Sequence, residues 1–366
     1  MRILVANAGS SSLKLRLLEP DDRVAASVDL SAPGSRADAG AIEQAVRGFG
    51  RVEVAGHRIV HGGDRFTSAV RVDGEVRRAL EELADLAPLH QQASLAVLSA
   101  VSAALPGVPA VACFDTAFHA RLPEAAATYA LPRAWREKWK IRRYGFHGLS
   151  HAHAARRAVE LAGGARGLRV IAAHLGAGAS LAAVVDGRSL DTTMGFTPLE
   201  GLVMATRSGS LDPGLVLWLE QHAGLSAGEM ADTLEHGSGL LGLGGTADMR
   251  ELEHRANAGD TRASLALEVY LHRLRGSVAA MAAAMGGLDV LVFTGGVGEH
   301  STLVRERAVS GLGFLGVSID SARNARGAPD REISAPGGAA RVFVVEARED
   351  LEITRQVRVL MANAPD

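Results

Sequence analysis

The chain opens on an apolar run, Ile3 to Ala6, that stops at a polar glycine and serine segment, Ala8 to Ser12. It resumes with Leu13, Leu15 and Leu17 separated by Lys14 and Arg16. A strand pattern on each side of a tight polar loop predicts a β-hairpin. The same grammar returns at Val170 to Val185, where VIAA, His174 and LGAGAS precede LAAVV and a turn at Asp186-Gly187. A shift of 167 residues sets Ala6, Asn7 and Gly9 on Ala173, His174 and Gly176. The pattern reads as two similar halves, each opening with a hairpin and facing each other across a cleft.

Between the hairpins the period changes. Glu75 to Leu86 carries a stripe of Val76, Leu80, Leu83 and Leu86, and Ser94 to Leu105 is a second amphipathic run. Ser150 is placed to cap a helix reaching Leu161. Strands are expected at Val52 to Val60, Val108 to Phe114, Leu288 to Phe293 and Arg341 to Val345, with a last helix over Glu349 to Met361. The alanine-rich run Val278 to Met285 reads as helix, alanine being the best helix former. Strands alternating with helices give an α/β class. The softest stretches are Ser31 to Ala41 and Ala322 to Gly338.

Composition narrows this. A length of 366 residues suits about two domains, and 47% hydrophobic with 22% charged residues excludes wholesale disorder. With 39 basic residues against 41 acidic, there is no electrostatic case for nucleic acid or anionic lipid. Cys113, the only cysteine, excludes an intramolecular disulfide framework and fits a reducing compartment. The N-terminal apolar run is too short for a signal peptide. The longest apolar stretch, Val170 to Val185, falls short of the ~18 residues of a membrane span. A soluble, cytosolic protein is expected.

The usual nucleotide signatures are missing: no P-loop and no protein-kinase catalytic loop occur. Gly242, Gly244 and Ala247 spell GxGxxA, but no strand precedes them, so the dinucleotide reading fails its context. What remains is a series of polar, glycine-flanked loops. Asn7 to Ser12, with Lys14, could cradle phosphate oxygens through backbone N–H groups and hydroxyls, or simply close a hairpin. In Gly56-His-Arg-Ile-Val-His-Gly-Gly, Arg58 suits bidentate binding of a carboxylate or phosphoryl group, a solvated arginine being the plain alternative. In Cys113-Phe-Asp-Thr-Ala-Phe-His, Asp115 stands at a strand's carboxyl end, where open α/β sheets bind ligands, or caps the next turn.

Tyr144-Gly-Phe-His-Gly-Leu-Ser-His-Ala-His offers His147, His151 and His153. There is no HExxH and no carboxylate at ligand spacing, so His147 donating to an oxyanion, with the others structural, is favoured over zinc. Similar loops follow at His174, Ala205 to Pro213, Gly244 to Arg250, Thr294 to His300 and Arg348 to Leu351.

In order, NAGSSSLK, GHRIVHGG, FDTAFH, YGFHGLSH, HLGAGASLAAVVDG, GFTPLEGL, TRSGSLDP, GGTADMR and FTGGVGEH resemble the acetate kinase family, the acetate and propionate branch of the acyl-phosphate-forming kinases. The resemblance covers essentially the whole chain. It implies duplicated ribonuclease-H-like (ASKHA, actin-like) α/β domains with a nucleotide cleft between them. One domain would comprise 1–119 plus 351–366 and the other, nucleotide-binding, 120–350. It further implies a cytosolic homodimer whose partners are small molecules, not nucleic acid or membrane. The implied reaction is reversible transfer of the ATP γ-phosphoryl group to acetate or propionate, with Mg²⁺ (or Mn²⁺) and ATP/ADP.

Carried over residue by residue, the resemblance makes Asn7 and Glu349 the Mg²⁺ residues, and Asp115, His147 and Arg207 the catalytic ones. Arg58 would grip the substrate carboxylate, and Val60, Leu89, Phe146 and Pro198 would enclose the acyl methyl group. Lys14, His174, Leu175, Gly176, Ala177, Gly178, Asp248, Met249, Arg250, Gly296, Val297, Gly298, Glu299 and His300 would bind the nucleotide.

A carboxylate nucleophile with a pKa of about 4 is already ionised near neutrality and needs no strong base. Asp115 therefore reads as an orienter of Mg²⁺ or its waters. Three segments depart from the family: HLGNG reads HLGAG, PLHNP reads Pro88-Leu-His-Gln-Gln, and TNEE reads Ala347-Arg-Glu-Asp. A butyrate kinase and a non-catalytic ATP-binding ASKHA protein are the competing readings. FDTAFH and YGFHGLSH weigh against the first, and the paired Arg58 and Arg207 against the second.

Overall fold

Both hairpins form where the pattern places them. A computed structural model describes residues 1–9, 12–31, 38–83, 88–327 and 329–363, the side chains of 88–90 excepted. The first sheet contains β1 (Ile3–Ala8), β2 (Ser12–Leu18), β3 (Val24–Ser31), β4 (Val54–Ile59), β5 (Val70–Arg71) and β6 (Ala110–Phe114). Its order is β3-β2-β1-β4-β6-β5. The second contains β7 (Arg169–Leu175), β8 (Ala179–Val185), β9 (Arg188–Thr192), β10 (Val290–Thr294), β11 (Arg331–Glu332) and β12 (Arg341–Val344). Read from its β9 edge, its order is β9-β8-β7-β10-β12-β11.

The two sheets have one topology. In the first, β1–β2, β2–β3 and β5–β6 are antiparallel, while β1–β4 and β4–β6 are parallel. In the second, β7–β8, β8–β9 and β11–β12 are antiparallel, while β7–β10 and β10–β12 are parallel. The 167-residue shift holds at the level of register: Ile3 pairs with Val54 as Val170 pairs with Val290. The fold is α/β, built as a duplication.

Contacts divide the chain into two compact units. One comprises Met1–Ala120, Phe146–His153 and Arg348–Asp366, and the other Arg121–Gly145 and Ala154–Ala347. In the first, the alternation of β1 and β2 buries Leu4, Ala6, Leu13 and Leu15 under the helices Ala39–Gly48 and Pro88–Ala104, against Ile42, Val46, Val97 and Val101. The opposite face puts Ile3, Val5, Val54 and Val111 against Ile353 and Val357 of the helix Glu349–Ala362. Gly56 lets that helix lie directly on β4, since a Cβ there would meet Ile353 at 2.7 Å. In the second unit the helix Thr261–Ala284, which includes most of the alanine-rich run, buries Leu267, Leu271 and Leu274 and packs on β7, β8 and β9.

Helix ends differ from the sequence reading for local reasons. The helix expected from Glu75 runs Gly74–Glu82, because the Asp73 carboxylate caps the Glu75 and Val76 amides at 2.9 and 2.8 Å. The last residues of that expected run lie outside the described residues. The helix expected from Ser94 starts at Pro88, and the one expected from Ser150 starts at Gly148. Of the soft stretches, 32–37 lie outside the described residues, while Ala322–Gly338 holds most of the short helix Ser321–Ala325 and all of β11. Gly242 and Gly244 lie in a helix, Gly239–Gly244, with no strand before it. No described helix is long and apolar enough to cross a membrane.

One core residue carries a pH cost. His57 lies between Ala55 and Ile59 on β4, 1% exposed, and neither ring nitrogen has a hydrogen-bond partner. Burial pushes its pKa down to about 3, and burial pushes that of His61 to about 4. The unfolded chain takes these protons near pH 6.5. Stability is therefore complete above that value and falls as pH drops from there toward 4, by up to ~1.4 kcal/mol per pH unit for each histidine. His57→Phe should flatten the decline of the urea midpoint between about pH 7 and 4.5 by one histidine's share. An unchanged slope would mean that His57 titrates normally.

Candidate active site

Three parallel strands of the first unit deliver polar groups to the same sheet end. Asn7 is near the end of β1, Arg58 near the end of β4, and Asp115 directly follows β6. The carboxyl ends of parallel strands are where open α/β sheets bind ligands. Arg58 donates from Nε at 3.0 Å and from Nη2 at 2.6 Å to Asp115 Oδ2. Its Nη1 donates to the Ala8 carbonyl at 3.0 Å and to Asn7 Oδ1 at 3.4 Å. Asn7 Nδ2 donates to Glu349 Oε2 at 2.6 Å, so the first residue of the last helix closes the cluster. Four of the guanidinium's five N–H groups are thus engaged, leaving one on Nη2.

The electrostatics follow from burial. Asp115 is 1% exposed, and burial pushes its carboxyl upward against the pull of Arg58. Burial works against the Arg58 charge, but Asp115 and Glu349 outweigh it and hold the guanidinium protonated. Asp115 Oδ1 is buried with no partner in the protein. An anionic oxygen so placed is costly unless a ligand, cation or water meets it.

The segment bearing His147 is locked to the segment bearing Asp115. The Gly148 amide donates to the Asp115 carbonyl at 3.0 Å. A Cβ at Gly148 would overlap that carbonyl oxygen, so only glycine lets the helix start here. His147 has φ +54°, left-handed backbone in a non-glycine residue. This junction explains why the helix begins two residues before Ser150. The three histidines differ in burial: His151 and His153 are buried and His147 is half-buried, its ring edge-on to that of His151 at 6.4 Å.

The second unit assembles its loops around the ends of β7 and β10. His174 and Leu175 end β7, and Gly176, Ala177 and Gly178 form the turn to β8, with the Gly176 amide donating to the Gly178 carbonyl at 3.0 Å. Gly295, at φ +79°, crosses that strand end so closely that a Cβ would meet the Leu175 carbonyl at 2.8 Å. Gly296, Val297, Gly298, Glu299 and His300 continue as a short helix. The Glu299 carboxylate accepts from the amides of Gly295 at 2.9 Å and Ala347 at 3.0 Å. Arg305, fully buried, donates to the carbonyls of Gly298 and Glu299, both at 2.8 Å, and to Asn324.

Other expected nucleotide residues have local structural work. Asp248 caps the helix Met249–Asn257 through the Arg250 amide at 2.8 Å and pairs with the Arg250 side chain at 3.2 Å. Met249 is buried in the core. Arg207 sits in a loop closed by Met204 N–H to Arg207 C=O at 3.1 Å, and its Nη1 donates to the Pro198 carbonyl at 3.5 Å. Burial pulls its pKa down, opposed by Glu235. Gly209 and Gly239, both at positive φ, back this loop so tightly that neither could carry a side chain.

Lys14 is opposite Asn7 in the β1–β2 ladder. Of the acyl-pocket set, Val60 and Phe146 are buried in the first unit, the Phe146 ring packing edge-on to His61 at 5.5 Å. Pro198 belongs to the second unit. Leu89 is the second residue of the helix Pro88–Ala104, and its side chain lies outside the described residues. Two departures are structurally absorbed. Gln91 donates to the His61 carbonyl and accepts from the His61 amide, each at 3.2 Å. Arg348 pairs with Asp350 at 2.8 Å.

Among the described residues no three His, Cys, Asp or Glu side chains are placed to hold a metal ion. Mg²⁺ does not require three: it keeps several waters and binds through one or two carboxylates plus phosphates. The all-oxygen set of Asn7, Glu349 and the orphaned Asp115 Oδ1 fits such a hard cation. Sequence reasoning missed Gly148, His119 and Arg305. FDTAFH contains His119, whose burial and partners no local pattern reveals.

Residues 38–355 match the Acetokinase family. The chain is 42% identical to the acetate kinase of Thermosipho melanesiensis, over 99% of this chain and 98% of that one. The structure superposes on Porphyromonas gingivalis acetate kinase with a TM-score of 0.88 at 38% identity, covering 98% and 99% of the two chains. For a propionate kinase from Francisella tularensis the TM-score is 0.89 at 34% identity, covering 97% and 98%.

Proposed function

This chain belongs to the acetokinase family, and we propose that it moves the γ-phosphoryl group of ATP reversibly onto the carboxylate of acetate or propionate, giving acyl phosphate and ADP. The observation that carries this is the buried Arg58–Asp115 pair, braced by Asn7 and Glu349 at the strand ends. Such a cation, held by its neighbours and keeping one N–H for a ligand, suits an anionic acceptor.

In the proposed reaction a substrate carboxylate oxygen bonds to the γ-phosphorus as the bond to the β-phosphate oxygen breaks and ADP leaves with that electron pair. No proton need move, because the carboxylate is ionised. Catalysis is then positioning and charge stabilisation. Arg58 would orient the carboxylate, with Val60, Leu89, Phe146 and Pro198 limiting the acyl chain. Arg207 and His147 would stabilise charge on the moving phosphoryl group. Asn7 and Glu349, with Asp115 orienting, would hold Mg²⁺ or Mn²⁺, which when bound neutralises phosphate charge. Lys14 and the loops at 174–178, 248–250 and 296–300 would bind the nucleotide.

The reading is tested by trapping acyl phosphate as hydroxamate from MgATP with acetate, propionate and butyrate. Product from the first two is expected. None from any acid, with folded protein, would overturn it, and product from butyrate alone would move the chain to another branch.

A cytosolic homodimer completes the proposal. Leu215, Leu217 and Trp218, all on the helix Pro213–Ala223, are 43%, 55% and 53% exposed. Leu265 is 58% exposed, and clusters of such side chains favour an interface. Light scattering should give twice the 38.1 kDa chain mass. A single-chain mass at micromolar concentration would contradict it.

A further inference from the structure

The left-handed backbone at His147 needs an explanation beyond the helix that follows it. A non-glycine residue in that region is strained and persists only where its surroundings over-determine it. Here one segment grips both sides of the residue. Before His147, the carbonyl of Phe146 lies 3.1 Å from His119 Nε2. After it, the amide of Gly148 donates to the Asp115 carbonyl at 3.0 Å. A carbonyl only accepts, so His119 Nε2 carries the proton.

We propose that His119 is a positioning residue for His147: by donating to the Phe146 carbonyl it holds the backbone from which the His147 ring is presented. The inference rests on the reading of His147 as the stabiliser of the moving phosphoryl charge. His119 is fixed for this task. It is 0% exposed, closes the short turn Ala117–His119 through its amide to the Thr116 carbonyl at 3.1 Å, and packs edge-on against Phe118 and His151 at 5.3 and 5.7 Å. On the far side, the His147 carbonyl accepts from the His151 amide at 2.9 Å. Asp115 and His119 stand four residues apart in FDTAFH. That motif therefore supplies the partner of Arg58 and the two grips on His147 from one rigid piece of chain.

The plain alternative is a satisfied core histidine. The two are separated by making His119→Phe, which keeps a ring and loses the donor, and His119→Gln, which keeps a donor. Each is made alone and with His147→Ala, and thermal midpoint, kcat and both KM values are measured on folded protein. Displacing a catalytic group by about 1 Å costs up to ~100-fold. His119→Phe is therefore expected to lower kcat by at least ~10-fold with both KM values within ~3-fold. His119→Gln should recover most of it. With His147→Ala present, His119→Phe should change kcat less than ~2-fold, because the group it positions is gone.

Parental kcat in His119→Phe, a loss confined to KM, no recovery in His119→Gln, or an equal loss in the His147→Ala background would each overturn the inference. If His119→Phe does not fold, His119→Leu carries the same comparison. Parental turnover in His147→Ala would overturn the role of His147 and this one with it. Loss there beside full activity in His119→Phe overturns only the present inference.

Discussion

Asp115→Asn is expected to lower turnover by ~100- to 1000-fold per folded molecule, the magnitude for losing one preorganised electrostatic group. The substitution keeps the side chain's shape and removes its charge. Arg58 then faces a neutral amide oxygen in place of the carboxylate that accepts two of its bonds, at 3.0 and 2.6 Å, in a site where Asp115 is 1% exposed. Breaking a buried pair by removing one partner typically costs ~3–5 kcal/mol, so the thermal midpoint should fall as well. The two effects are separable. If Asp115 only braces Arg58, the Mg²⁺ concentration for half-maximal rate stays where it is. If the orphaned Oδ1 also orients Mg²⁺ or its waters, that concentration rises. Turnover within a few-fold of the parent would remove Asp115 from the reaction.

What the residue pattern could and could not reveal divides along physical lines. The hairpins were legible because buried sheet faces impose a period of two; the 167-residue shift carries β1 onto β7, where Ile3 and Val170 face Val54 and Val290, while the hairpin registers differ by one residue, Asn7 facing Lys14 and His174 facing Ser180. β3 and β9 were not expected. VAASVDLS keeps its apolar residues only partly buried and RSLDT is short and mostly polar; both lie outside the central strands, paired to β2 and β8. The helix Pro213–Ala223 has no buried residue among its leucines, so no apolar stripe faces a core.

For the site, residue types at strand ends pointed to Arg58 and Asp115 singly. Their pairing, across 57 positions, depends on β4 lying beside β6, which no local pattern contains. Gly148 looked like one glycine among 42, because its need arises only from the Asp115 carbonyl against it.

Duplication sharpens the assignment of chemistry to halves. Carrying the paired registers of β4–β6 onto β10–β12 sets Arg58 against Thr294 and Asp115 against Ala347. The first unit holds a buried ion pair at this place. The second holds a small hydroxyl and an alanine whose amide donates to Glu299. The same scaffold thus offers charge in one copy and glycine-rich backbone in the other. That is the division expected if one copy serves an anionic acceptor and a cation, and the other a nucleotide.

Within the second copy, Arg207 is the cation that the proposed reaction sets on the moving phosphoryl group. Its loop is closed by backbone bonds and backed by Gly209 and Gly239. The side chain touches the Pro198 carbonyl at the outer limit of hydrogen bonding, 3.5 Å, and burial pulls its pKa down, so it is partly stripped of water. A desolvated guanidinium interacts strongly with charge that develops beside it. Arg207→Ala is expected to cost at least ~100-fold in turnover, the magnitude for one such donor. Arg207→Lys keeps the charge, loses the planar fork, and should cost substantially less. If its bonds are made mainly in the transition state, turnover should fall more than the Michaelis constant for ATP rises. An arginine that merely braced its loop would instead give a lower thermal midpoint with normal turnover per folded molecule. The loop's own backbone closure argues against that, and near-parental turnover in Arg207→Ala would establish it.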